Sequence, residues 1–289
     1  MITMNNVSKT IGDFKLENIT FEFPKGYILG MIGPNGAGKT TLINLILHLY
    51  FPEEGDLLVD GKKYEDAEEE IKNEIGYVLN EDLFLQDSSL LENADLYGKY
   101  YQKYDRERFC SYCKEFKLEE NRKLGKCSKG EKLKFQFAFA LSHEPKLLIL
   151  DEPTANFDPE FRDSFLHIIT EFVADGEHSV ILATHLTTDL DRLADYILFL
   201  NKGKQLYFSD RESLLDSFRI VSGEAYQVKL LPEERIVYQE SGAYGVRALV
   251  KHKKLNHYHS GLEVRRPNIE ELMYYTICAE KRGPRKSNQ

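Results

Sequence analysis

The sequence predicts an α/β protein, a mainly parallel sheet clothed in helices, with a small α+β appendage at its C-terminal end. Three observations predict it. Continuous apolar runs (YILGMI, IGYVLN, KLLILDEP and SVILATH) alternate with segments of helical length and pattern, as buried parallel strands do between crossover helices. One of these runs, YILGMI, feeds directly through GPNGAGKT into TLINLILHLY, a strand, a glycine-rich loop and a helix in succession. The alternation stops near residue 210, where AYQVKLL, RIVYQE and GVRALVKH are followed by the helix-like PNIEELMYYTICAE.

The remaining elements follow in order. ITMNNVSK and FKLENITFEF read as strands, closed by a turn at Pro24-Lys25-Gly26. After Pro52, GDLLVDGKKY is a short strand ending in the turn signal Asp60-Gly61, and EDAEEEIKNE is an acidic surface segment. Residues from about 84 to 141 lack strand alternation and carry helical patterns, which marks a helical insertion. Within it, CSKGEK precedes the helical run EKLKFQFAFALS; small residues and a glycine open that helix, so its first backbone N–H groups are expected to be bare and to attract an anion. PEFRDSFLHIITEFVADG is an amphipathic helix stopped at Gly176, LTTDLDRLAD a further helix, and YILFLNKGKQLYF a hairpin turned at Asn201–Gly203. Asn268 is placed to cap the last helix, with Glu271 three residues on.

Composition bounds the function. The 289 residues are 42% apolar and 29% charged, as in ordinary soluble globular proteins. With 38 basic against 47 acidic residues and a formal charge of -9, the chain is a poor polyanion binder, and nucleic acid is not expected as a partner. A small phosphate site needs only local donors. Four cysteines are too few for a disulfide scaffold and fit a reducing compartment. Cys110 and Cys113, one helical turn apart, read as helix residues without redox or metal chemistry. MITMNNVSKT lacks the form of a signal peptide. The longest apolar stretch, LINLILHLYF, is interrupted by Asn44 and His48 and is too short to span a bilayer.

Gly33 to Thr40, GPNGAGKT, matches the phosphate-loop pattern G-x-x-x-x-G-K-[ST]. Its glycines let backbone N–H groups turn inward around phosphates; Lys39 is expected to reach the β- and γ-phosphates, and the Thr40 hydroxyl to bind Mg²⁺. LLILDEP supplies the second half of a nucleoside triphosphatase. Its strand ends at Asp151, placed to hold the Mg²⁺ shell, and Glu152 follows at the strand's mouth, where a carboxylate orients and deprotonates an attacking water.

GPNGAGKTT, CSKGEK, LLILDEP, Asp158 in TANFD and His185 in LATH, in that order, resemble the ATP-binding-cassette (ABC) ATPases over residues 1 to about 210. The resemblance implies a P-loop NTPase fold: a RecA-like core, an antiparallel β subdomain and a helical subdomain at about 84–141, with residues 211–289 as an accessory domain. It implies ATP and Mg²⁺ as ligands. Asn35, Gly36, Ala37, Gly38, Lys39, Thr40 and Thr41 would surround the phosphates, and Thr40, Asp151 and Asn80 would hold the metal. Lys39, Glu152 and His185 would be catalytic, with His185 contacting the γ-phosphate and holding the attacking water. Ser128 and the Gly130 N–H would meet the ATP of an opposing cassette, and Asp158 would lie in the loop that communicates across that interface.

The family pattern is departed from in three places. Cys127 and Lys129 replace two residues of the signature loop. Asn80 stands where a glutamine is usual, one methylene shorter. Ile11 occupies the place of the aromatic that stacks on adenine, with Phe14 nearby as a substitute; loss of one base–aromatic stack is worth about 1–3 kcal/mol.

With no transmembrane stretch, a transport role requires a separate transmembrane permease subunit, received in a groove formed by residues 84–141 and the Asn80 loop. The resemblance implies a homodimer or a paralogous heterodimer of ATPase subunits, peripheral on the cytoplasmic face of a bacterial cell membrane. YGKYYQKYD, ALSHEPKLLILDEPTANFDP, ATHLTTDLDRLADYILFLNKG and RRPNIEELMYY are similar to ATPase subunits that export bacitracin-type antibiotics, lantibiotics and phenol-soluble modulins. Two alternatives stand beside this: a soluble cassette ATPase acting on ribosomes or DNA, and a non-catalytic nucleotide-binding regulator, suggested by Asn80, Ile11 and the altered signature. His252, His257 and His259 read as surface histidines rather than metal ligands, and KRGPRK as a solvated terminus.

Overall fold

The structure is a computed structural model that describes residues 1–242, 245–252 and 261–282, with the side chains of residues 155 and 156 left aside. In β1 (Ile2–Ile11) and β2 (Phe14–Phe23) alternate residues are apolar, so Ile2, Met4, Leu16, Ile19, Phe21 and Phe23 are buried on one face of an antiparallel pair. β3 (Ile28–Ile32) is buried along its whole length and leads into α1 (Lys39–Ile46). β4 (Glu54–Val59) returns to pair with β1, α2 (Tyr64–Asn73) covers its end, and β5 (Ile75–Val78) follows.

The insertion holds α3 (Leu90–Gly98), α4 (Arg106–Glu115) and α5 (Lys129–Ser142), packed around Phe84, Phe109, Phe135 and Phe139. β6 (Leu147–Asp151), α6 (Pro159–Phe172), β7 (Ser179–Ala183), α7 (Thr187–Leu193), β8 (Tyr196–Asn201) and β9 (Lys204–Asp210) complete a nine-stranded sheet of order β4-β1-β2-β9-β8-β3-β7-β6-β5. Its centre, β8-β3-β7-β6-β5, is parallel; β9 runs antiparallel to β8 and joins the antiparallel strands at the other end. Two apolar layers flank the centre. Leu148 and Leu150 of β6 point into the one with the helices of the insertion, Leu147 and Ile149 into the one with α1. Strands coated on both faces read as unbroken apolar runs, which is how they were legible.

Beyond β9, α8 (Arg211–Asp216), β10 (Phe218–Gly223), α9 (Ala225–Val228), β11 (Ile236–Gly242), β12 (Gly245–Lys251) and β13 (Glu263–Arg265) give a separate antiparallel sheet of order β11-β12-β10-β13. One face covers a small core of Val221, Val228, Val246 and Val250. Ile220 and Leu249, on the other, meet Ile269, Leu272 and Tyr275 of α10 (Ile269–Arg282), which lies against β11 and α7. Asn268 and Glu271 cap α10 reciprocally at 2.8 and 3.2 Å, as the sequence predicts.

Three segments differ from the sequence reading. EDAEEEIKNE is the helix α2, because Tyr64 and Ile71 bury one stripe while its acids face solvent. AYQVKLL is a short helix rather than a strand: Val228 and Leu231, three apart, share one core, and the strand beside it is the preceding FRIVSG. α1 stops at Ile46, short of the expected run, where His48 turns left-handed (φ 57°) and stacks on Tyr64 with ring centroids 4.1 Å apart.

Candidate nucleotide site

The site lies at the carboxyl ends of β3 and β6, where open α/β sheets bind ligands. Gly38 ends the loop at φ 111°; a Cβ there would lie 2.9 Å from Leu16 Cδ1 and 3.0 Å from Phe14 Cζ, so only glycine fits. As the cap of α1 it offers no side chain, which leaves the first amides of that helix to an anion. Lys39 is only 7% exposed and donates to Gly33 O at 2.8 Å, folded back over the loop. Burial pushes the Lys39 pKa down, against the pull of Glu152 and Asp151.

A cavity of about 380 Å³ opens over this loop, lined by Phe14, Asn35 to Thr41, Asn80, Asp151 and Glu152. Thr40 Oγ1 donates to Asp151 Oδ2 at 3.0 Å, so the predicted metal-binding hydroxyl and carboxylate are neighbours. Burial raises the Asp151 pKa; Glu152 adds to this, and Thr40 and Lys39 oppose it. These hard oxygens, with the Asn80 amide at the cavity wall, suit Mg²⁺, which takes few protein ligands and completes its shell with phosphate and water.

Glu152 has a left-handed backbone (φ 51°, ψ 43°), and its amide donates to Ala183 O at the end of β7 at 2.8 Å. That turn aims its carboxylate at the next loop, where Oε2 lies 2.6 Å from His185 Nδ1 and accepts from the His185 amide at 3.2 Å. Two residues 33 apart in sequence thus form one acid–imidazole pair beside the cavity. Ile11, at the edge of β1, lies outside the cavity wall, and Phe14 lines it.

The other predicted residues stand apart. Ser128 and Gly130 are at the tip of α5 and Asp158 at the start of α6, none of them lining the cavity. The tip of α5 is not bare as expected: the Ser128 hydroxyl accepts from the Glu131 amide at 3.2 Å, and the Glu131 carboxylate accepts from the Ser128 amide at 2.7 Å. The Lys129 and Gly130 amides stay outside this box, and the Ser128 O–H proton remains available to donate. Asp158 caps α6 through the Phe161 amide, which with Lys134 (Nζ at 3.0 Å) holds its carboxyl below the usual range.

Sequence reasoning missed supporting residues. Gln136, a buried polar residue inside the run FQFAFAL, accepts from the Leu79 amide at 2.9 Å and donates to Glu81 O at 3.4 Å, bracketing Asn80. The hairpin between β8 and β9 turns on Lys202 and Gly203, at φ 48° and 76°. The Gly203 amide donates to Ala37 O at 3.0 Å, and a Cβ there would sit 1.8 Å from Lys15 O, so the hairpin tip props the nucleotide loop. Cys113 is buried on α4, its thiol pushed up to about 12 by that burial. Among the described residues no group of three His, Cys, Asp or Glu side chains is placed to hold a metal; His257 and His259 lie outside them, as does the end of the basic tail.

A glycine-rich loop over a buried lysine, with a Thr–Asp pair and an acid–imidazole pair at neighbouring strand ends, defines a nucleotide-hydrolysing ATPase of the P-loop class. The chain belongs to the ABC transporter family. The family profile described as ABC transporter matches residues 16–155. The chain is 34% identical over 212 residues to the tungstate uptake system ATP-binding protein TupC of Peptoclostridium acidaminophilum, covering 70% of this chain and 95% of the relative. It is 30% identical over 223 residues to the Nod factor export ATP-binding protein I of Cupriavidus pinatubonensis, covering 75% and 68%. The dimeric structure of MJ0796, a bacterial ABC transporter cassette, superposes with a TM-score of 0.64 at 26% identity, over 73% of this chain and 98% of that one. The protein is thus an ATP-binding, ATP-hydrolysing subunit of an ABC transporter. Among the described residues no helix is long and apolar enough to cross a membrane.

Proposed function

We propose that this chain powers a bacterial exporter of peptides, antibiotics or toxins, as a homodimer or paralogous heterodimer beneath a separate transmembrane permease, at the cytoplasmic face of the cell membrane. In this reading residues 1–210 form the cassette and 211–289 an accessory domain. The observation that carries the catalytic part is the pairing of Glu152 with His185 beside the loop of Lys39 and Thr40. The export direction is supported by the likeness of YGKYYQKYD and RRPNIEELMYY to exporter ATPases; the relatives themselves include one named for export and one for uptake.

The triphosphate lies along the amides of residues 35 to 41, with adenine against Phe14. On binding, Lys39 exchanges the Gly33 carbonyl for phosphate oxygens, and a lysine already desolvated holds an anion strongly. Thr40, Asp151 and Asn80 would hold Mg²⁺, which neutralises charge between the phosphates when bound. Glu152 accepts the proton of the attacking water, and His185, fixed by that same carboxylate, orients the water towards the γ-phosphate. Ser128 and Gly130 of the opposing chain donate to the far side of that phosphate, so each site needs both chains. A groove of about 500 Å³ beside the Asn80 loop, lined by Tyr77, Leu83, Phe84, Tyr97 and Tyr101, supports docking of a permease helix that closure of the pair would move.

Glu152→Gln is expected to cut hydrolysis to a small residual rate and trap an ATP-bound dimer. Light scattering of the variant at saturating ATP checks this, and a strictly monomeric result refutes the shared site. Co-expression with a candidate transmembrane permease, followed by peptide uptake into inside-out vesicles, tests the direction; ATP-driven movement the other way refutes export.

A further inference from the structure

We propose that Asp189 is a positioning residue for the Glu152–His185 pair, acting through Thr154. The inference rests on the reading of that pair as the water-orienting unit. Asp189 is in the first turn of α7, four residues beyond His185, and is 1% exposed. A buried carboxylate needs partners, and this one has three donors. Its Oδ2 accepts from Thr154 Oγ1 at 2.9 Å, and its Oδ1 accepts from Arg162 Nε at 3.1 Å and from Arg162 Nη2.

Thr154 is itself buried and stands two residues beyond Glu152, across Pro153. The hydrogen bonds therefore close a ring. It runs from Glu152 through Pro153 to Thr154, across to Asp189, back along the chain to His185, and across again to the Glu152 carboxylate. Pro153 fixes one backbone torsion of the short arm, and the Asp189 amide donates to Leu186 O at 3.1 Å within the long arm. The ring has few soft joints. Glu152 sits in it with a left-handed backbone, a conformation that persists only where neighbours over-determine it. Arg162 adds α6, so the helix that begins at Asp158 shares the same anchor.

Opening the ring at Thr154 leaves the phosphate loop untouched while freeing the carboxylate to swing. Steady-state hydrolysis and the affinity for a fluorescent ATP analogue, measured on the full chain, test this. Thr154→Val, which removes only the hydroxyl, should lower turnover about tenfold and leave affinity within about twofold; Thr154→Ser, which keeps the hydroxyl, should retain turnover. Asp189→Asn should lower turnover at least as far. In a Glu152→Gln background, Thr154→Val should lower the residual turnover no further, because the group being positioned is gone. Turnover of Thr154→Val within twofold of the parent, an equal loss in affinity, or a further loss in the Glu152→Gln background would each overturn the assignment. Turnover unaffected by Glu152→Gln itself would instead overturn the reading of the pair, and the role of Asp189 with it.

Discussion

α1 and α5 begin in opposite ways. α1 starts behind Gly38, with no side chain over its first amides; α5 starts behind Ser128, whose hydroxyl and the Glu131 carboxylate close a reciprocal cap. Glu131 is also held by Arg122 at 2.8 Å, so the tip of α5 carries its own anion. Both ends face the same kind of ligand in the proposed dimer, but no side chain caps the first amides of α1, whereas α5 offers only those its box leaves out, of Lys129 and Gly130. The difference teaches where binding strength resides. An uncapped helix end, held open by glycine, keeps all its first amides free to donate to an anion, whereas a capped end contributes only the donors its box leaves over.

The largest effect expected is at the open end. Gly38→Ala puts a methyl against Leu16 and Phe14 and strains the backbone, and should weaken ATP binding by about 100-fold or more, read by fluorescence titration. Next is the far end of α5, at His143, which is buried against Tyr101 with its pKa lowered by that burial from 6.5 to about 4. The folded state keeps this ring neutral, so its stability is unaffected above pH 6.5 and falls as pH drops from 6.5 towards 4, by up to about 3 kcal/mol. Thermal denaturation at pH 7 and pH 5 should show a smaller acid-induced fall in Tm for His143→Phe than for the parent.

Ser128→Ala should cost about 1 kcal/mol, roughly 2–4 °C in Tm, and also slow hydrolysis. Ser89→Ala breaks the same box at α3, with Glu92, and should cost as much stability while leaving turnover unchanged. Equal turnover in the two variants would reduce the tip of α5 to an ordinary cap. The smallest effect expected is from Glu131→Gln, which keeps the box but removes the charge. It should lower the ATP concentration for half-maximal turnover by about twofold; no change, or a rise, would show that the carboxylate does not oppose the incoming phosphate.

Much of this was legible because it is local. The phosphate loop is a run of adjacent residues, and strands buried on both faces announce themselves as apolar runs. The cap of α5 was equally local: Ser128-Lys129-Gly130-Glu131 carries the S-x-x-E spacing of a capping box, and reading that end as bare overlooked it. What the chain order hides is pairing at a distance. Thr154 and Asp189 are 35 residues apart, and Glu280 of α10 bonds Asn201, 79 residues away. Such contacts exist only once the sheet has aligned its strand ends. The short helix at Ala225–Val228 was missed because four residues are too few to display a period.

Glu152 has a further consequence. A glutamate in the left-handed region carries a standing penalty of about 1–2 kcal/mol, which glycine would relieve and asparagine would lessen. Laboratory selection for heat resistance alone should therefore accumulate Gly or Asn at position 152, yielding sturdier molecules that hold their nucleotide and no longer turn it over.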